Sequence, residues 1–216
     1  MVENMYFNKN KVKIVDNFLS EKDFNELLSL KIEKNTSKKF NIYHNEIDDE
    51  GVISSTIDKK LIERLHKTYH AKAISILSEI NKDKVELYDY SDFTIIITDK
   101  DSKFPIHDDT PNKLLSGVIY LYPEKNYGTF FYDDKKGANK IHTEWQTNRG
   151  VFFSRKERET WHSYQSDGVN NRMVLVYNLM TRRIRQVYQI EKKNYFLGNL
   201  RWKINPYLYE YFKFIL

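Results

Sequence analysis

The 216-residue sequence predicts a mainly β (α+β) domain: an antiparallel sandwich or barrel, braced by N-terminal helices and followed by a helical, aromatic C-terminal extension. Three observations carry this. Between Val85 and Asn178, short runs rich in Val, Ile, Phe and Tyr alternate with polar turns, a spacing that favours antiparallel sheets. Ahead of them Leu61, Ile62, Leu65, Tyr69, Ala73, Ile76, Leu77 and Ile80 recur at helical spacing and make one apolar face. The length suits a single domain, 1–216, with ample chain to bury a core. Its pattern divides into helical support over 1–84, a β core over 85–180 and a basic aromatic extension over 181–216.

The elements follow in order. Lys11 to Leu19 alternates as a strand, and Ser20-x-x-Asp23 resembles a capping box before Phe24, Leu27, Leu28 and Leu30, so a helix starts there. Lys34 to Ser55 reads as a polar loop with a short strand around Phe40 to Tyr43. Asp58 caps a helix from about Lys59 to Ile80, which braces a sheet from outside. Strands are expected at Val85–Tyr90, Phe93–Thr98, around His107, and at Leu114–Tyr122, Gly128–Tyr132, His142–Trp145, Gly150–Ser154 and Arg172–Asn178. Near the end, Asn205 as cap and Pro206 at the first helical position start a short helix. The aromatics of that helix cover too much of its circumference for a free surface helix. It packs on the barrel, pairs with another subunit as a homodimer, or touches a membrane surface; packing is the plainest of the three.

Composition excludes several classes. With no cysteine there are no disulfides, thiolate metal sites or cysteine nucleophiles, which fits a cytoplasmic setting. No run approaches a membrane span, and Met1-Val2-Glu3-Asn4-Met5-Tyr6 lacks the build of a signal peptide. There is no phosphate-binding glycine loop, Gly-x-Ser-x-Gly elbow or internal repeat. The net charge of +5 belongs to the tail: residues 181–216 carry +6 and the remainder −1. A basic aromatic tail offers nucleic acid or another anionic surface a place to bind, but charge alone carries no specificity, and the plainer reading is a solvated face.

The stretch from Phe104 to Asn178 holds the chemistry. On a strand, His107 and Asp109 project together while Asp108 points away to a solvent or turn position. His162, which follows the apolar strand 150–153, is the best third ligand. Two imidazoles and a carboxylate suit Fe(II), although the ligand count alone leaves zinc open. Arg172 shares a strand face with Val174 and Val176, where an unpaired guanidinium is costly, so it needs a carboxylate partner; a dicarboxylic co-substrate on the metal would be one. A lone His-x-Asp often occurs by chance, and His66 and His70, four apart on a helix, have no third ligand nearby. His44 and His142 have no metal-ligand context. Trp161 and Tyr164 either flank the metal mouth or simply pack.

These residues resemble the iron(II)- and 2-oxoglutarate-dependent dioxygenases, in the prolyl 4-hydroxylase-like branch. The likeness lies in His107-x-Asp109, Val118-Ile119-Tyr120-Leu121, Tyr127-Gly128-Thr129-Phe130, His162 and Arg172, and it covers most of residues 85 to 180. The entry segment Val15-Asp16-Asn17-Phe18-Leu19-Ser20 adds a weaker likeness. The chain departs from many relatives in having Tyr127-Gly128 in place of paired glycines, and Tyr122 in place of Asn. The resemblance implies a double-stranded β-helix, or jelly roll, with the triad at its open end. It also implies Fe(II) on His107, Asp109 and His162, and 2-oxoglutarate gripped by Arg172 and the Tyr120 hydroxyl. O2 would be the oxidant, in an oxidoreductase that hydroxylates its substrate, since Asp109 is not the small residue of related halogenases. A peptidyl side chain such as proline, a small metabolite or a sugar is the implied substrate. Nucleic acid and a non-catalytic binding role on the same fold are the alternatives.

Overall fold

The computed structural model describes residues 2–7, 9–32 and 39–212. Strands β1 (Val2–Phe7) and β2 (Asn10–Val15) form a hairpin, and Ser20 then caps α1 (Glu21–Leu28). Ser20 is the expected cap, with the Asp23 N–H donating to Ser20 Oγ at 3.2 Å, but the capping box is only half made: the Ser20 hydroxyl donates to Asp23 Oδ2 at 2.8 Å while the Ser20 N–H goes to the Tyr69 hydroxyl at 2.8 Å. The region read as a polar loop holds β3 (Phe40–Tyr43), β4 (Glu46–Asp48) and β5 (Gly51–Ser54), while 34–38 lie outside the described residues. Then come α2 (Lys59–Asn81), a 3-10 turn (Lys82–Leu87), β6 (Tyr90–Thr98), β7 (Lys103–His107), β8 (Lys113–Tyr122) and β9 (Tyr127–Tyr132). After these run β10 (Ile141–Glu144), β11 (Gly150–Phe153), β12 (Trp161–Gln165), β13 (Arg172–Met180), α3 (Ile184–Ile190) and α4 (Tyr195–Phe212).

All strand pairs described are antiparallel, and they make two sheets. The large one runs β1-β2-β11-β8-β13-β6-β4-β5, with β3 also on β6; the small one runs β10-β9-β12-β7. This is the jelly-roll sandwich expected from the sequence. The first 84 residues contribute strands as well as helices to it.

Strict alternation explains why the central strands are apolar on both faces. Along β13, Met173, Leu175, Tyr177 and Leu179 join the cluster under the helices, while Arg172, Val174 and Val176 line the interior of the sandwich. Along β8, Leu115, Ile119 and Leu121 face the helices, and Ser116, Val118 and Tyr120 face inward. The predicted apolar face of α2 covers the outer side: Leu61, Ile62, Leu65, Tyr69, Ala73, Ile76 and Leu77 are all buried. Each large side chain there contributes roughly 1.5–3 kcal/mol by leaving water, an upper estimate.

Two expectations are corrected. Val85–Tyr90 is not a strand: the 3-10 turn Lys82–Leu87 occupies most of it, and β6 starts at Tyr90. The local alternation is overridden by Lys84, which is drawn fully inside to Glu191 Oε1 at 2.7 Å and to the Arg155 carbonyl. The last helix does not start at Asn205. It starts at Tyr195, behind Asn194, whose side-chain oxygen accepts from the Leu197 N–H at 3.1 Å, and Pro206 lies inside it. A better cap eleven residues earlier wins, and the missing proline N–H is tolerated mid-helix. The closing residues 213–216, part of the expected aromatic tail, lie outside the described residues.

Candidate metal centre

Strand pairing assembles the triad. In the small sheet β12 lies on β7 with His162 directly opposite His107, so the two rings meet with centroids 4.2 Å apart. Asp109 arrives differently from the way its spacing suggested. β7 ends at His107, and the turn beyond it swings the carboxylate back until Oδ2 lies 3.9 Å from His162 Nε2. One ligand atom from each of His107, Asp109 and His162 lies within 4.8 Å of the others, and among the described residues this is the sole such cluster.

The surroundings orient each ligand. His107 Nδ1 lies 2.9 Å from the Pro105 carbonyl and His162 Nδ1 3.0 Å from the Thr160 carbonyl. Each Nδ1 therefore carries the proton, and each Nε2 offers its lone pair to the cluster. Burial, and then the neighbouring His162, push the His107 imidazole down to about 3, so it is neutral at physiological pH. Burial opposes ionisation of Asp109, but the Lys113 ammonium outweighs it and holds the carboxyl well below the usual carboxylate range. Lys113 Nζ donates to Asp109 Oδ1 at 2.7 Å and Ser116 Oγ to Oδ2 at 2.5 Å. The Arg155 Nε–H donates to the Asp109 carbonyl at 3.2 Å.

A cavity of about 230 Å³ leads from the triad along the inner faces of β8 and β13 to Arg172. Phe104, Val118, Phe153, Val174 and Val176 make its walls apolar. Arg172 is buried with no carboxylate partner among the described residues, and its Nε has no hydrogen-bond partner. Burial pushes its guanidinium below the usual range. Three rings cage it, with centroids 4.5 Å (Tyr164), 5.2 Å (Trp145) and 5.9 Å (Tyr120) from Cζ. Tyr120 packs beside the cavity, its hydroxyl donating to Thr129 Oγ1 at 3.0 Å and lying 2.7 Å from Thr143 Oγ1. Its oxygen also accepts from the Thr129 N–H at 2.8 Å. A buried guanidinium without a carboxylate partner and a two-histidine, one-carboxylate set, both lining one largely apolar cavity, fit a dicarboxylate held between a metal and an arginine.

No family model and no curated protein matches the sequence. Solved structures do. A prolyl-4-hydroxylase from Pseudomonas putida superposes with a TM-score of 0.53 at 12% identity, over 79% of this chain and 92% of that one. An oxidoreductase of the 2OG-Fe(II) oxygenase family from Burkholderia pseudomallei gives 0.57 at 14%, over 78% and 84%. A prolyl hydroxylase from Trichoplax adhaerens, in complex with a hypoxia inducible factor oxygen degradation domain peptide fragment, gives 0.56 at 13%, over 83% and 88%. The chain has the 2OG-Fe(II) oxygenase fold.

Within this oxygenase fold, several residues escaped the sequence reading. Lys113 and Ser116 carried no signal beyond standing four and seven residues after Asp109. Asp108 does turn from the triad, but not to solvent: it is buried, accepts from the Arg158 N–H at 2.8 Å, and pairs with Arg201 Nη2 of α4 at 3.0 Å. The carboxylate was expected at the surface because its partner lies 93 residues away. His66 and His70 are half-buried. The His70 ring packs tilted between those of His66 and Tyr88, His66 Nε2 lies 3.2 Å from the Tyr88 hydroxyl, and burial holds both histidines below the usual range. His142 packs near Phe130, and His44 Nδ1 lies 2.9 Å from Thr94 Oγ1. Tyr164 lines the cavity, whereas Trp161 is packed, its Nε1–H donating to the Arg158 carbonyl at 3.0 Å.

Proposed function

We propose that this protein is an Fe(II)- and 2-oxoglutarate-dependent hydroxylase acting on an unactivated C–H bond of a peptidyl side chain, a small metabolite or a sugar. The observation that carries the reading is the cavity joining the triad to the unpaired Arg172. His107, Asp109 and His162 would hold Fe(II), and Arg172 would take the far carboxylate of 2-oxoglutarate. Bound there, iron would couple O2 to the oxidation of 2-oxoglutarate to succinate and CO2, with one oxygen atom entering the substrate C–H bond.

The chain's own residues do the rest. Lys113 and Ser116 fix the Asp109 carboxylate through separate oxygens, so it enters the site already oriented. Pro105 and Thr160 carbonyls set both imidazole tautomers. The apolar walls exclude water from the reacting end. The P. putida and T. adhaerens neighbours, by their descriptions prolyl hydroxylases, support a peptidyl side chain as the first substrate class to test. The test is O2-dependent succinate release with Fe(II) and 2-oxoglutarate across prolyl peptides, metabolites and sugars. One class is expected to stimulate release, and Asp109→Ala to lose it by more than about a hundredfold. Equal release by the variant would overturn the assignment.

A further inference from the structure

α4 has two faces. One lies on its own domain: a Cβ on Gly198 would stand 2.2 Å from the Tyr188 ring, so only glycine allows that approach, and Arg201 pairs with Asp108 and Glu157. The other is apolar and open to solvent. Leu197, Leu200, Ile204, Tyr207 and Tyr211 repeat at alternating steps of three and four residues along it. Phe196 extends the patch, and the side chains at its core are 56% (Leu200), 65% (Tyr207), 68% (Leu197) and 71% (Tyr211) exposed.

We propose that this face is a dimerisation seam that pairs, antiparallel, with α4 of a second copy of the chain. The alternating steps of three and four keep these five side chains on one stripe of the helix, the arrangement a seam against another helix needs. The area is sufficient. Three aromatic and three aliphatic side chains so exposed offer on the order of 600 Å² per copy, hence about 1,200 Å² in a symmetric pair, the lower edge of a specific interface. Charge selects the orientation. With Leu197, Ile204 and Tyr211 as one set of seam positions and Leu200 and Tyr207 as the other, Lys203 and Glu210 occupy equivalent flanking positions one heptad apart. In an antiparallel two-fold pair, Ile204 packs on Tyr207 of the partner subunit, and Lys203 stands beside Glu210 of the partner subunit, twice over. A parallel pair would set Lys203 beside Leu208 of the partner subunit and lose both charge pairs.

Sedimentation velocity at about 1 to 100 µM tests this, with far-UV circular dichroism as the folding control. The wild type should show a monomer–dimer equilibrium. The surface pair Leu200→Glu with Tyr207→Glu should be monomeric with an unchanged spectrum. Lys203→Glu should weaken the dimer about tenfold, and adding Glu210→Lys should restore it. A wild type monomeric throughout, or a dimer indifferent to the seam variants, overturns the proposal. So does a monomer that instead sediments with phosphatidylserine-containing vesicles, which would make the seam a membrane contact. Failure of the charge rescue alone overturns the antiparallel orientation.

Discussion

Asp109, the carboxylate of the proposed metal site, already accepts two side-chain hydrogen bonds. Its outer oxygen takes a hydrogen bond from an ammonium, and a divalent ion beside the same carboxylate is repelled by that cation. Ser116 holds the other oxygen, so orientation survives without Lys113. Lys113→Met should therefore bind Fe(II) or Co(II) about tenfold more tightly, while Ser116→Ala should bind about ten- to a hundredfold more weakly, in anaerobic metal titrations. Weaker binding by Lys113→Met would mean that the ammonium orients the carboxylate more than it repels the ion. Arg172 makes the opposite case, a buried cation without an anion. Arg172→Met should raise the unfolding temperature of the ligand-free protein, because it removes an unpaired charge. The same change should cost 2-oxoglutarate binding about 2–5 kcal/mol, upwards of thirtyfold in Kd, with metal affinity unchanged. At this scale the gathering of His107, Asp109, His162 and Arg172 around one cavity was legible from residue type and order, although Asp109 reaches it through the turn after β7 and not by strand period. Lys113 and the buried Asp108–Arg201 pair were not, since their meaning depends on a turn and on a helix far along the chain.

Among the elements, α1 shows how a local signal becomes a tertiary anchor. The Asp23 carboxylate that closes the cap also accepts from the Tyr69 hydroxyl at 2.6 Å and from Arg64 Nε at 3.0 Å, tying α1 to α2. Burial opposes its ionisation, but the hydrogen bonds from Tyr69, Ser20 and Arg64 outweigh that and lower its pKa. A carboxylate depressed in the folded state contributes stability that is present above its unfolded pKa and lost as pH falls through the folded one. Asp23→Asn should thus cost about 1–3 kcal/mol at neutral pH, and the difference from wild type should close below pH ~4. A pH-independent difference in urea unfolding would show that packing, not charge, is lost. The β9–β10 pairing is equally constrained: at its irregularity between His142 and Glu144 a Cβ at Gly128 would stand 2.0 Å from the Thr143 carbonyl, so the chain keeps one glycine where the strands touch. Long periodic elements such as α2 were read to within a residue. The strand expected at Val85 and the helix start expected at Asn205 failed where a buried lysine and an earlier asparagine overrode short local patterns.

For the whole molecule, the sheet order brings residues 55 positions apart in sequence into one candidate metal site and lays the cavity along the two central strands. The spacing of the short apolar runs foretold an antiparallel sandwich or barrel, and the family resemblance a jelly roll, but neither gave this strand order. The placement of the basic extension could not be foretold. Arg183, Lys193 and Arg201 each pair with a carboxylate of the body at 3.0 Å or less, so part of the tail's charge serves to dock it. No described helix is long and apolar enough to cross a membrane.

The central claim is that one cavity holds a metal at one end and a dicarboxylate at the other. Anaerobic titration of 2-oxoglutarate into the Fe(II)-loaded protein tests it most directly, through the visible charge-transfer absorption of the chelate. The wild type should develop the band, His162→Ala should lose it together with the iron, and Arg172→Met should keep the iron but need far more 2-oxoglutarate. Tight Fe(II) binding with no band at any 2-oxoglutarate concentration would contradict the account.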